Sequence, residues 1–238
     1  MAGGGPFVSV VVPLRDEAES LETLHRELDA ALAGVAGGVE LIFVDDGSRD
    51  DSLPRLRGIA AKDPRVRAIA LDGRYGQTAA LDAGFRAACG EVIVTLDADL
   101  QNDPADIPAL LARLDRADVV NGVRQGRRDT ALRRLSSRIA NAVRNRVTHE
   151  TVADVGCSLR AMRAEYVRRV KLYRGMHRFL PTLLRMEGAR VVEVPVAHRP
   201  RRYGASKYGV HNRLWAGLAD LAAVRWMQSR ALRYRKTE

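Results

Sequence analysis

Four short runs of branched apolar residues recur in the first half of the chain: FVSVVV (7–12), VELIFV (39–44), VRAIAL (66–71) and EVIVTL (91–96). Between the first two, Leu21, Leu24, Leu28 and Leu32 keep the 3–4 spacing of a single helix face. Segments 51–62 and 77–88 also read as helices. Strand alternating with helix predicts βαβ units and a mostly parallel sheet with helices on both faces, an α/β fold. The strands are continuously apolar rather than alternating, as burial on both sides requires. Farther along, Asp103-Pro104 reads as a helix cap followed by proline in the first turn, leading into DIPALLARL. DVVNGV (118–123) and RVVEVPV (190–196) read as strands, while 162–171, about 175–187 and about 207–232 read as helices. No repeat or low-complexity linker interrupts the chain, so the expectation is one α/β domain over 1–205 with a helical appendage over 206–238.

The strand ends carry the unusual residues. PLRDE follows the first strand, DDGSRDD the second, DGRYGQ the third and DADLQNDP the fourth. In open α/β sheets ligands bind beyond the carboxyl ends of the strands, so these four segments are expected to converge on one cleft. Asp97 and Asp99 alternate by two, which in an extended segment aims them to one side, with Gln101 next in line. Two carboxylates and an amide oxygen are hard donors suited to Mg²⁺ or Mn²⁺, with diphosphate oxygens and waters completing the shell. The plainer reading of the same residues is an acidic loop that caps a strand and a helix. Asp45 and Asp46, followed by Gly47 and Ser48, have the composition of a capped turn; a carboxylate there would also accept hydrogen bonds from a ribose or a base.

Composition narrows the partners. Cys89 and Cys157 stand far apart, which argues against a disulfide framework or a zinc site and makes a reducing cytoplasm the expected compartment. The first residues lack a basic segment ahead of their apolar run, so they read as a strand and not as an export signal. Residues 1–120 hold 12 Lys and Arg against 21 Asp and Glu, a net charge of −9, whereas residues 121–238 hold 27 against 8, a net of +19. Of the basic residues, 35 are arginine and four are lysine. A basic half points to phosphates, a lipid surface or nucleic acid. Nucleic acid is the weakest of these, because aromatic residues are only 5% of the chain and the acidic half would repel a phosphate backbone. The last stretch is broken by Asp220, Arg225 and Arg230, far short of the about 20 apolar residues that a spanning helix needs. Leu214, Leu218 and Leu221 share a face near Trp215 and Trp226, a pattern that suits a helix lying on a membrane surface or one packed on the domain or a second subunit.

Taken in order, VVVPLRDEAESL, LIFVDDGSRDDSL, the Gly76–Gly90 run and VTLDADLQNDP resemble the successive motifs of glycosyltransferase family 2, which has the GT-A fold. The second half is similar to its polyprenyl-phosphate branch, which includes dolichol-phosphate mannose synthase and bacterial undecaprenyl-phosphate sugar transferases. NGVR (121–124), DVGCSLR (154–160) and RRYGASKYG (201–209) carry that part of the likeness. The resemblance implies that Pro13, Leu14, Glu17, Asp45, Gly76 and Asp97 bind a nucleotide sugar, and that Asp97, Asp99 and Gln101 hold Mg²⁺ or Mn²⁺. It further implies that Arg124, Arg133, Arg138, Arg202, Ser206 and Lys207 receive the phosphate of a polyprenyl acceptor, with Asp99, Arg124 and Asp154 as the catalytic set. The chain departs from the pattern at Arg15-Asp16, at Arg74 and at Cys157-Ser158. The first two border the donor pocket, so GDP-mannose, UDP-glucose and UDP-N-acetylhexosamine all stay open.

The implied reaction is inverting transfer of the sugar to a lipid phosphate. A phosphate monoester is already largely ionised near neutrality, with a second pKa of about 6, so no strong general base is needed. Many bacterial relatives continue into transmembrane helices; this chain is expected to reach its lipid from the cytoplasmic face, through the basic half and the terminal helix, or with a membrane-embedded partner subunit or a second copy. The rivals are a family 2 enzyme that glycosylates a polysaccharide or protein hydroxyl, and a non-catalytic basic scaffold.

Overall fold

The computed structural model describes residues 8–125, 142–148, 150–200 and 211–232, with side chains of the last segment from Gly217 onward. The strands are β1 (Val8–Leu14), β2 (Val39–Asp45), β3 (Val66–Ala70), β4 (Val92–Thr95), β5 (Val119–Arg124), β6 (Arg160–Arg163) and β7 (Val191–Val196). They form one sheet in the order β3-β2-β1-β4-β6-β5-β7. β3, β2, β1 and β4 are parallel neighbours, β6 runs against both β4 and β5, and β7 is parallel to β5.

Helices α1 (Leu21–Leu32), α2 (Ser52–Ala60) and α4 (Ile107–Ala112) bury their apolar sides against one face. The four leucines of α1 join Leu56, Ile107 and Leu110 over Val10, Val12, Phe43 and Val94. α3 (Gln77–Ala87), α6 (Ala164–Val167) and α7 (Leu180–Met186) cover the other face, where Leu81, Phe85, Leu180 and Leu184 meet Val11, Ile42 and Ile93. The remaining helices are α5 (142–148) and α8 (His211–Arg230), joined by a hydrogen bond from Gln228 Nε2 to the Thr148 carbonyl. Leu221 and Val224 of α8 pack on Met176, Phe179 and Leu183. No helix among the described residues is long and apolar enough to cross a membrane.

The structure corrects one expected element. The helix read over 162–171 is only Ala164–Val167, because Arg160–Arg163 is a strand. Ala161 and Met162 are good helix formers, yet β6 bonds to a neighbour on each side, Met162 facing Ile93 of β4 and Val119 of β5. Pairing on two edges outweighs a preference of a few tenths of a kcal/mol, roughly, per residue. The long helix read over 175–187 begins as a 3₁₀ turn at Met176–Phe179 before α7.

α3 sets the position of the cleft's third loop, and Gly84 sets the position of α3. A Cβ at Gly84 would sit 2.3 Å from Val11 Cγ1 and 3.3 Å from Val44 Cγ2, both stiff β-branched side chains in a buried sheet. Replacing Gly84 with valine should therefore overpack this contact and lower stability by about 2–3 kcal/mol. The check is the urea midpoint at unchanged slope; a midpoint equal to that of the unaltered protein would show that α3 has room to move.

Candidate active site

A cavity of about 760 Å³ lies at the carboxyl ends of β1 to β4, where the four polar segments do converge. Its size is within the range of about 300–1,000 Å³ typical of small-molecule sites. Pro13, Leu14 and Glu17 line it from the end of β1. Their loop is braced from the next one: Asp16 N–H donates to Ser48 Oγ at 2.8 Å, and Glu17 N–H donates to Ser52 Oγ at 2.8 Å. Asp16 Oδ1 in turn accepts from Arg49 N–H at 2.6 Å. The Arg15-Asp16 departure thus supplies a carboxylate that ties two loops together.

At the end of β2 the paired aspartates divide their work. Asp45 is turned into its own loop, where it accepts from the Ser48 N–H at 3.3 Å and from the Ser48 hydroxyl. Asp46 lines the cavity instead, accepting from Tyr75 N–H at 2.7 Å and Gly76 N–H at 2.9 Å. The expectation that Asp45 lines the pocket is corrected in favour of its neighbour, because the Asp45–Ser48 turn takes up the first carboxylate. Gly76 also lines the cavity, at the start of α3.

Asp97 and Asp99 both line the cavity beyond β4. They arrive there through a turn at 98–100 and not through an extended segment; buried Leu100 has a φ of 60°. Asn102 closes this turn, its Oδ1 accepting from Asp97 N–H at 3.3 Å and from Ser158 Oγ at 2.7 Å. Gln101 consequently leaves the line of the two carboxylates. It is not among the residues lining the cavity, its N–H donates to Asp99 Oδ1 at 3.1 Å, and its carbonyl accepts from Arg199 N–H at 2.9 Å. Gln77, from α3, takes the place of an amide beside the pair, with Nε2 donating to Asp97 Oδ1 at 2.8 Å.

Burial, followed by the charge of Asp99, pushes the Asp97 carboxyl up to about 6, while Ser158, Arg160 and Arg124 pull the other way. Two neighbouring carboxylates at one partly buried point are a poor arrangement by themselves and a good one for a hard divalent cation, which would remove the repulsion. No cluster of three or more His, Cys, Asp or Glu among the described residues forms a closed cage. A pair of carboxylates fits an ion such as Mg²⁺, which keeps few protein ligands and shares its shell with substrate phosphates and water.

Cations stand in the same enclosure. Arg160 opens β6, is 4% exposed and lines the cavity. Nε donates to Asn121 Oδ1 at 2.8 Å, Nη2 to the Val155 carbonyl at 2.8 Å and Nη1 to the His177 carbonyl at 3.3 Å. Arg174, His177 and Arg178 also line it. Local sequence held no signal for these three, since only the docking of the Met176–Phe179 turn beside α3 carries them to the cavity. For Arg160 there was a signal: it closes the DVGCSLR segment.

Arg124 and Asp154 form a bidentate pair, Nε to Oδ2 at 2.7 Å and Nη2 to Oδ1 at 2.8 Å, and Arg124 N–H donates to Oδ2 at 3.2 Å. Burial opposes the charge on Arg124, and Asp154 more than offsets it. Gly156 leaves the necessary space; a Cβ there would lie 2.7 Å from Arg124 Nη2. Neither member of the pair is among the cavity-lining residues. Arg133, Arg138, Arg202, Ser206 and Lys207, read as receiving the acceptor phosphate, lie outside the described residues, as do the side chains of Leu214 and Trp215.

Comparisons with known proteins bear on the fold and the family. The solved structure of glucosyl-3-phosphoglycerate synthase from Mycobacterium tuberculosis, in complex with Mg²⁺ and uridine diphosphate, superposes with a TM-score of 0.67 at 22% identity, over 94% of this chain and 79% of that one. At that identity the likeness shows the fold, the GT-A architecture that the motifs implied. The undecaprenyl-phosphate 4-deoxy-4-formamido-L-arabinose transferase of Klebsiella pneumoniae subsp. pneumoniae is 42% identical over 203 residues, which is 84% of this chain and 62% of the relative. The dodecaprenyl-phosphate galacturonate synthase of Rhizobium johnstonii is 39% identical over 223 residues, 91% of this chain and 66% of that protein. The chain therefore spans somewhat less than two thirds of the length of these relatives. The sequence profile of glycosyl transferase family 2 matches residues 9–171, and the chain belongs to that family.

Proposed function

We propose that the protein transfers a sugar from a nucleotide diphosphate sugar to the phosphate of a polyprenyl phosphate, with inversion at the anomeric carbon. The observation that carries this reading is one cavity lined both by the carboxylates Asp97 and Asp99 and by the guanidiniums Arg160, Arg174 and Arg178. That mixture suits two phosphorylated reactants and a cation better than it suits a neutral acceptor. The likeness to transferases acting on polyprenyl phosphates supports the acceptor class.

In this reading Pro13, Leu14 and Glu17 receive the nucleoside, on a wall kept in place by the Asp16–Arg49 and Asp46–Gly76 bonds. Asp97 and Asp99 hold Mg²⁺ or Mn²⁺, and Gln77 orients the first of them. The ion, when bound, supplies Lewis-acid stabilisation of the charge that develops on the departing diphosphate. The acceptor phosphate is ionised already, with a second pKa of about 6, so the chain needs to orient it and not to deprotonate it. Asp154 fits that requirement, because its carboxylate is given over to Arg124 and its action is to position that guanidinium. Arg133, Arg138, Arg202, Ser206 and Lys207 are assigned to the acceptor phosphate on the family resemblance.

The lipid is reached from a membrane surface, with 1–205 as the catalytic domain and 206–238 as the surface-associated appendage at the cytoplasmic face. The part of α8 turned away from the domain carries Leu218, 43% exposed, and Trp226, 63% exposed, alongside Arg225 and Arg230. An apolar stripe flanked by arginine is the composition of an interfacial helix.

The direct test supplies radiolabelled UDP- and GDP-sugars with undecaprenyl phosphate and Mn²⁺. Label should enter the organic phase, and both Asp99→Asn and chelation by EDTA should lower the rate about 100-fold or more, as loss of a principal electrostatic stabiliser does. Label in polysaccharide or protein would overturn the acceptor assignment. Asp154→Asn should cost about 3 kcal/mol or more in denaturant unfolding, since it strands a partly buried guanidinium. A paired Asp154→Leu, Arg124→Met protein should recover stability without recovering turnover; recovery of both would deny Arg124 a role. Trp226→Glu should weaken cosedimentation with vesicles of anionic phospholipid about tenfold or more, the worth of one buried large side chain, and unchanged sedimentation would remove α8 from the membrane contact.

A further inference from the structure

Thr78 and His177 meet at the cavity wall although they are 99 positions apart. Thr78 Oγ1 accepts from Gly175 N–H at 3.1 Å, and the same oxygen lies 2.7 Å from His177 Nδ1. A hydroxyl has a single proton to give. With the Gly175 N–H already pointed at it, that proton is best used toward Nδ1; the reverse assignment, Nδ1–H donating to Oγ1, leaves a buried hydroxyl proton without a partner. His177 thus carries its own hydrogen on Nε2. Burial, with the charges of Arg178 and Arg160 nearby, holds the ring's pKa down at about 3, so the imidazole is neutral in the folded protein near neutrality. A neutral ring whose Nδ1 is committed offers a ligand one thing, the Nε2–H donor, and no hydrogen bond to Nε2 is made among the described residues.

The strand order gives a bound donor a direction. Leu14 ends β1 and Asp46 follows β2; Asp97 and Asp99 follow β4; Arg160, which supports the His177 carbonyl, opens β6 on the far side of β4 from β1 and β2. A nucleoside at the β1 and β2 ends with its diphosphate at the β4 end directs the remaining part of the molecule toward β6. We infer that His177 Nε2–H donates to a hydroxyl or ring oxygen of the sugar being transferred, with Thr78 fixing the tautomer that makes this possible. His177 is then a specificity-determining residue for the donor, and the assignment rests on the nucleotide-sugar reading above.

Calorimetry on the whole chain with Mn²⁺ separates the possibilities, using UDP and GDP alone and UDP-glucose, UDP-glucuronic acid and GDP-mannose as probes. Asn in place of His177 presents its amide near the Nδ1 position, whereas Gln reaches the Nε2 position. His177→Asn should weaken the preferred nucleotide sugar roughly 3- to 10-fold, the worth of one neutral hydrogen bond, and leave the parent nucleoside diphosphate unchanged. His177→Gln should bind within about twofold of the unaltered protein, since its amide can restore that bond. Thr78→Val should reproduce the His177→Asn loss, and Thr78→Ser should not, which keeps the test decisive should one variant fold poorly. Equal loss for the nucleoside diphosphate and the nucleotide sugar would overturn the assignment to the sugar, and so would affinity unaffected by His177→Asn. Failure of the unaltered protein to bind any nucleotide sugar would instead defeat the donor reading itself, and this assignment with it.

Discussion

Two carboxylates share the buried end of β4, and much of the surrounding architecture follows from keeping them there. Asp97 is half-buried, and Asp99 two residues on adds its charge, so ionisation of Asp97 is resisted from two sides. Hydrogen bonds to the ionised form and distant positive charge are the available remedies. Both are present. Gln77 and Ser158 stand beside Asp97, and Arg160 and Arg124 lie within Coulombic reach. A hard divalent ion at this point would offset the repulsion that remains.

The same constraint accounts for the turn that follows. An extended continuation would have swung Gln101 alongside the aspartates and left Leu100 facing outward. Leu100 is instead 1% exposed, and the chain accepts a left-handed residue to bury it. Asn102 then closes the loop from below and links it to Ser158, so the acidic turn and the segment leading into β6 are held as one unit. Arg199 anchors the other side through Asp103 and Glu27. The acidic turn is thus braced on both sides by hydrogen bonds and ion pairs of the chain itself.

The two halves of the cavity reflect the two halves of the chain. The acidic first half supplies the loops at β1, β2 and β4, and the basic second half supplies Arg160, Arg174 and Arg178. Each of the acidic loops is stabilised by bonds to its neighbour, as with Asp16 to Arg49 and Asp46 to Gly76. The cationic wall depends more on packing: the Met176–Phe179 turn is clamped between α3 and the apolar side of α8. Asp220 of α8 lies against Gly175 within that clamp. α8 therefore supports the cationic wall through its packing on this turn.

Legibility followed range. The four parallel strands, the leucine face of α1, the cap at Asp103 and the convergence of four polar loops were all readable, because periodicity, capping and strand-end chemistry act over a few residues. Family motifs pointed to Arg124 and Asp154 separately, without saying that they bond to each other. What the sequence could not determine was every choice between near neighbours or between distant segments. Asp45 or Asp46 for the cavity depended on which carboxylate the Ser48 turn consumed; Gln101 or Gln77 beside the aspartates depended on burying Leu100; strand or helix at 160–163 depended on two open sheet edges. His177 was invisible altogether, since its role arises from a hydroxyl 99 residues away. Local sequence sets the chemistry that is available, and only the packing of remote segments decides which of those groups faces the cavity, because hydrogen-bond and burial partners at long range are established by the fold as a whole.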